Sequence, residues 1–207
     1  MILTWEYPPK RLGEISDHVY NLSQRLVRLG NEVEVLAEDD LKPGFEDMNG
    51  VKVHRVANPV KTHPMGGTLT SVMTASVKME QEASNILYYY RQIRKEIDLI
   101  HAHEWLTVPT AISLKQAFGL QFVLTLHSLE GHRCGDAFGP LNIAIKEIEE
   151  MGIQKSSRVI ANTKWMKKGI IKYYDEKHGQ KISVVQPNKE GWVPKIVSVY
   201  KKGFMAN

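Results

Sequence analysis

His127 and Ser128 stand directly after Gln121 to Leu126, a continuously apolar run. A histidine held at the end of a buried strand can donate a hydrogen bond, or serve as a general acid or base near neutral pH. The same position also suits an ordinary satisfied core histidine. A nucleophilic Ser-His hydrolase is excluded by the lack of a Gly-x-Ser-x-Gly elbow. A second group, His101-Ala102-His103-Glu104-Trp105, closes another strand-like run. On a strand His101 and His103 point to one face, and His127, His132 and Cys134 could complete a zinc-type donor set. Their spacing matches no known zinc module, so no metal is expected. Hydrogen bonding of these histidines to hydroxyl groups, with Trp105 packed nearby, is the alternative use. The third candidate is Lys10-Arg11-Leu12-Gly13-Glu14. Between a strand and a helix this loop could offer backbone N–H groups and a helix dipole to a diphosphate, with Lys10 and Arg11 adding charge. Glu14 opposes that, because a carboxylate at the helix start competes for the same donors.

The elements that position these residues follow from hydrophobic periodicity. Ile2 to Trp5 is a short strand. Ile15, Val19, Leu22, Leu26 and Leu29 recur at helical spacing and predict a helix that Gly30 stops, with Ser16 or Asp17 at its start. Val33 to Ala37 and Val51 to Val56 are strands, the second near an edge, with a turn-rich loop from Lys42 to Gly50 between them. A long loop, Asn58 to Thr70, precedes a helix over Leu69 to Ile97. A strand then runs from Asp98 to His103, a helix from Thr107 to Phe118, and a buried strand from Gln121 to Leu126. Helix over Leu141 to Gly152, strand over Arg158 to Ala161, helix from the Thr163 cap to Tyr174 and strand over Lys181 to Val185 complete the series. Alternating strands and helices predict a doubly wound, mostly parallel α/β sheet of Rossmann-like type. Ligands of such sheets sit outside the carboxyl ends of the strands. The residues after each strand therefore matter most.

Composition excludes several classes. The chain has 207 residues, 43% of them hydrophobic and 24% charged, enough for one sizeable α/β core. The net charge of +4 is spread along the chain, which is no nucleic-acid footprint. Cys134 is the single cysteine, so an intramolecular disulfide is excluded and a reducing, cytoplasmic location is expected. No apolar run approaches the roughly 18 residues of a membrane span, and no signal peptide is read.

The ordered stretches Trp5-Glu6-Tyr7-Pro8-Pro9, His18-Val19-Tyr20-Asn21-Leu22-Ser23, Leu29 to Val33, His101 to Trp105, Thr125 to Ser128, Ile148-Glu149, Val159 to Met166 and Val184 to Asn188 resemble the N-terminal domain of GT-B glycosyltransferases of the glycogen- and starch-synthase type. The resemblance implies a single GT-B half over residues 1–188, with 189–207 a tail where a second domain begins. It implies the acceptor side of a retaining glucosyltransferase, using a nucleotide sugar and a glucan acceptor, without metal or other cofactor. It places His127 and Glu104 at the reacting centre. It implies that the Gly13 loop approaches the donor diphosphate; Lys10, Trp105, His103 and Ser128 are the further residues expected to contact substrate. Where the family carries a glycine pair in the first loop, this chain has Gly13-Glu14. Alone, such a half is expected to be a poor catalyst. The alternative is a stand-alone glucan-binding or assembly module, a homodimer or the partner of a separate donor-domain chain.

Overall fold

A computed structural model describes residues 1–60, 67–135, 139–174 and 176–204. The long loop expected from Asn58 to Thr70 lies in part outside these residues. Eight strands form one sheet: β1 Ile2–Thr4, β2 Val33–Glu38, β3 Gly44–Met48, β4 Val51–Val56, β5 Ile100–His103, β6 Phe122–Leu126, β7 Arg158–Ala161 and β8 Ile182–Val184. Their order is β3-β4-β2-β1-β5-β6-β7-β8, and every pairing is parallel except β3 with β4. The helices are α1 Glu14–Arg28, α2 Gly67–Gln92, α3 Val108–Phe118, α4 Glu130–Cys134, α5 Pro140–Lys155, α6 Lys164–Tyr174 and α7 Trp192–Phe204. The interior strands β1, β2, β5 and β6 are buried at every position, as a sheet covered on both faces requires. One core joins α2, α3, α5 and α6 to the sheet through Met79, Leu114, Leu124 and Ile170. The other joins α1 and α7 through Leu22, Val123, Trp192 and Ile196.

Three local expectations are corrected. Lys42 to Gly50 is more than a loop, because β3 pairs antiparallel with β4. Asn49 and Gly50, both at positive φ (57° and 85°), make the tight turn that Asn-Gly favours in hairpins. The strand was hidden because Gly44–Met48 is an exposed, charged edge without apolar alternation. The long helix stops at Gln92, not Ile97. Arg94 takes the left-handed conformation (φ 55°), and the N–H groups of Lys95 and Arg94 bond back to the Tyr90 and Arg91 carbonyls. This is a glycine-type helix stop made without glycine. Finally, neither Ser16 nor Asp17 caps α1. Ser16 Oγ donates to the Lys10 carbonyl at 2.9 Å and Asp17 pairs with Arg11. By contrast, Thr163 does cap α6, its Oγ1 accepting from Met166 N at 3.0 Å.

Residues 189–204 contribute α7, which returns to the sheet. Trp192, Val193, Ile196 and Val199 lie on one helical face and are buried against the α1 side. The chain runs outward from β1 through β2 to β4, then jumps back to β5 on the other side of β1. The crevice between β1 and β5 is therefore the switch point of the sheet.

Candidate functional site at the switch point

The polar groups gather at the carboxyl ends of β1, β5 and β6. Glu6, just past β1, is buried, and its carboxylate accepts the N–H groups of Leu12 and Gly13. The loop before α1 is thus held by the Glu6 side chain, and the Gly13 N–H is already engaged. Lys10 is ion-paired to Glu38, and its ammonium lies 5.4 Å from the Trp5 ring. Burial pulls its pKa below the ordinary lysine value.

Glu104 follows β5 in a backbone conformation (φ 67°, ψ 164°) that is almost reserved for glycine. Its buried carboxylate accepts the N–H groups of His127 and Ser128, the latter at 2.8 Å, and lies 3.3 Å from Ser128 Oγ. Burial raises its pKa above the usual carboxylate value, against those hydrogen bonds. The strain is offset by what the side chain does, which is to tie the β5 end to the β6 end. Ser128 Oγ also accepts from Arg133, whose guanidinium reaches Glu130 and Glu149.

Four imidazoles occupy the space between these anchors. His103 Nδ1 lies 3.0 Å from His127 Nε2, and His127 Nδ1 lies 2.9 Å from Asn162 Nδ2. His18, on the first turns of α1, packs 4.9 Å from the His127 ring and 5.6 Å from the His103 ring. His101 lies tilted against His103, ring centroids 4.1 Å apart, and is bonded to Thr125 Oγ1 and Tyr200 OH, both at 2.7 Å. Burial first, and then mutual repulsion for His101, His103 and His127, pushes all four below the ordinary histidine pKa, to about 4 for His18. They are neutral at pH 7 and can donate, accept or ligate.

Glu104, His127, His103 and Ser128 are brought together, and Gly13 stands on the neighbouring β1–α1 loop. Trp105 is only 7% exposed and packs in the core. The exposed indole is Trp165 at the start of α6, 63% exposed and stacked on His132 at 3.7 Å. His18, Glu6 and Asn162 were not read as site residues. The signal for His18 was a histidine within the apolar stripe of α1, four residues before Leu22. A cavity of about 520 Å³ opens at the opposite end of the sheet, lined by Met1, Glu34, Tyr90, Asp98 and Tyr200. It lacks the switch-point position and the converging strand ends, so the rim is the better site.

Glu149 supports the rim from below. It accepts Glu130 N–H at 3.0 and 3.1 Å and the Tyr174 hydroxyl. Burial raises its pKa from 4.5 to about 7. The folded state therefore keeps a proton that the unfolded chain has lost between those values, so this group's contribution to stability falls as pH rises from 4.5 to about 7. The whole effect is roughly 3 kcal/mol. Glu149→Gln abolishes it. Urea midpoints at about pH 5 and about pH 8 should converge on that loss in the parent relative to the variant. An unchanged difference between the two proteins at both pH values contradicts the assignment.

A doubly wound sheet whose polar groups meet at the switch-point rim defines a Rossmann-like half of the GT-B class, and the solved structures it matches share that architecture. The chain belongs to glycosyltransferase family 4, whose model matches residues 15–187. An uncharacterised glycosyltransferase of Methanocaldococcus jannaschii is 30% identical over 191 residues, 92% of this chain and 46% of that protein. Glycogen synthase of Mycobacterium tuberculosis is 26% identical over 176 residues, 77% of this chain and 41% of that protein. The chain spans less than half the length of these curated relatives. A sucrose-phosphate synthase chain from Thermosynechococcus elongatus superposes with a TM-score of 0.68 at 15% identity, over 97% of this chain and 96% of that one. The catalytic domain of starch synthase IV from Arabidopsis thaliana, bound to ADP and acarbose, gives 0.58 at 16% identity, over 92% and 51%. Among the described residues no helix is long and apolar enough to cross a membrane.

Proposed function

We propose that residues 1–188 form the acceptor side of a retaining, glycogen-synthase-like glucosyltransferase, and that residues 189–204 close this half through α7. The reading is supported by the Gly13 loop, Glu104 and His127 each following a strand at the carboxyl edge around the β1/β5 switch point, and by Glu104 accepting hydrogen bonds from the His127 and Ser128 N–H groups. Similarity to a glycogen synthase supports the reaction class. The donor is a nucleotide sugar and the acceptor a glucan; one structural relative carries ADP and acarbose, and another carries UDP and glucose.

In this reading His127 exchanges its bond to Asn162 for a hydroxyl of the transferring sugar. A neutral imidazole suits that role, since it both donates and accepts. Glu104 acts through His127 and Ser128, as a positioning group. Gly13 lines the path of the donor diphosphate, with Lys10 and Ser128 beside it. His103 fixes the His127 tautomer, and Trp105 supports the turn from the core.

By themselves these 207 residues provide one wall of a cleft. Holding both reactants in register is worth effective molarities of about 10⁵–10⁸ M, and a missing charge-stabilising donor costs about 10²–10³ in rate. The purified chain is therefore expected to bind maltooligosaccharide measurably by calorimetry. It should transfer glucose from ADP- or UDP-glucose at least about 10²-fold more slowly than when a donor half is supplied. Robust turnover by the chain alone refutes the half-cleft reading, and absence of oligosaccharide binding refutes the acceptor assignment.

A further inference from the structure

We propose that α4 and α6 form a second binding site, for a phosphorylated saccharide, in which Trp165 takes the face of a sugar ring and Lys168 and Lys172 take the phosphate. Trp165, Lys168, Gly169 and Lys172 stand at positions i, i+3, i+4 and i+7 of α6, so they share one helical face. Trp165 is 63% exposed and both lysines are exposed. A depression of about 420 Å³ lies along this face, walled by Gly131 and His132 of α4 and by Tyr173 of α6. Glu104, His127, Ser128 and Asn162 are not among its described lining residues, so it is separate from the switch-point rim.

The indole is held in place from behind. It stacks on His132 with ring centroids 3.7 Å apart and planes inclined by 23°, and Tyr173 meets His132 edge-on at 5.5 Å. Two glycines make room for this wall. A Cβ at Gly169 would run into the His132 ring, and one at Gly131 would come 2.8 Å from the Tyr173 ring. Burial, and then the Lys172 charge, hold His132 below the ordinary histidine pKa, so the plate behind the indole is a neutral ring at pH 7. An aromatic wall with a few placed polar groups is the usual build of a small-ligand site. The flat indole face matches the C–H face of a pyranose.

The charge around the indole has one sign. Helix α6 carries Lys164, Lys167, Lys168 and Lys172 and no acidic residue. Lys167 donates to the Ile182 carbonyl at 3.0 Å. Lys172 lies 5.0 Å from the Tyr173 ring, at the edge of the depression. Among the described lining residues there is no carboxylate, and Glu130, the acidic residue of α4, is spent on Arg133 and Asn142. Two ammonium groups one helical turn apart suit a phosphate monoester, which carries about −1.5 to −2 at pH 7. Lysine binds phosphate as a point charge, whereas a carboxylate is matched better by the arginine fork, which the described lining lacks. The site goes beyond the glucosyltransferase reading and does not depend on it.

Calorimetry on the purified chain tests this with mannotriose bearing a terminal phosphate monoester. Binding should saturate at one molecule per chain and weaken as salt rises from about 0.05 to about 0.5 M. Trp165→Ala, and the double variant Lys168→Gln with Lys172→Gln, should each weaken it by about 10-fold or more, as loss of an aromatic anchor or of the charge partners does. Unmodified mannotriose and inorganic phosphate should each bind at least about 10-fold more weakly than the phosphorylated sugar, because each offers one of the two contacts. Maltooligosaccharide binding, which tests the acceptor reading, should be the same in these variants as in the parent. No binding of the phosphorylated probe, undiminished affinity in either variant, equal binding of the unmodified sugar, or tighter binding of trigalacturonate would each overturn the proposal. Loss of maltooligosaccharide binding in Trp165→Ala would place neutral glucan on the indole and overturn it as well.

Discussion

Trp192→Ala should lower the stability of the domain by about 3–5 kcal/mol. Trp192 is only 2% exposed and opens α7, where it packs in the same core as Leu22, Val123 and Val193 and beside the His18 ring. Its indole N–H has no hydrogen-bond partner among the described residues, so the loss is one of packing and cavity formation. A domain of about 200 residues loses roughly 2–4 °C in Tm per kcal/mol. The variant should therefore unfold at least about 6 °C below the parent. Trp192→Phe should recover most of the loss, because it keeps an aromatic ring in the same space. Trp165→Ala, at the exposed indole, should change stability by no more than about 0.5 kcal/mol. Thermal unfolding of the three variants decides the matter. Equal melting of Trp192→Ala and the parent would mean that α7 does not cover the sheet.

Glu104→Ala should cost roughly 2–6 kcal/mol and loosen the rim. The carboxylate is the acceptor for His127 N–H and Ser128 N–H, and each buried donor left unpaired costs about 1–3 kcal/mol. Glu104→Gln keeps an acceptor oxygen in place and should stay within about 1 kcal/mol of the parent. Glu104→Gly separates the carboxylate from the backbone. It loses the acceptor as alanine does, but relieves a conformation (φ 67°, ψ 164°) that costs a non-glycine residue about 1–3 kcal/mol. The expected order of stability is Glu, then Gln, then Gly, then Ala. Amide hydrogen exchange at His127 and Ser128 gives the local readout, with rapid exchange in Ala and Gly and slow exchange in Gln. Retained protection in Glu104→Ala would show that the β6 end is held by something else. For transfer chemistry the consequence is positional, since His127 would lose the anchor that aims its ring.

How much of this was legible beforehand depends on the range of the interactions involved. The strands Val33–Glu38 and Phe122–Leu126 announce themselves because burial on both faces demands apolar side chains at nearly every position. Helix α1 announces itself because one face must meet the sheet, and Gly30, at φ 84°, supplies the stop. These are local constraints written in consecutive residues. The strand Gly44–Met48 was not legible, because an exposed edge needs no apolar face and only the Asn49-Gly50 turn betrays it.

The alternation of the apolar strands with the longer helices, their parallel pairing and the importance of the strand ends were therefore legible in the amino-acid sequence alone. The resemblance carried by the ordered motifs added the family. Only the tertiary structure decided what the rim residues do to one another. It turned Trp105 into the core, engaged the Gly13 N–H with Glu6, made Glu104 the clasp between β5 and β6, and set His18 against His103 and His127. Those partners are separated by many residues along the chain, and no periodicity records them. They meet because the sheet brings β1, β5 and β6 side by side, and burial then leaves each polar group only the neighbours the fold provides.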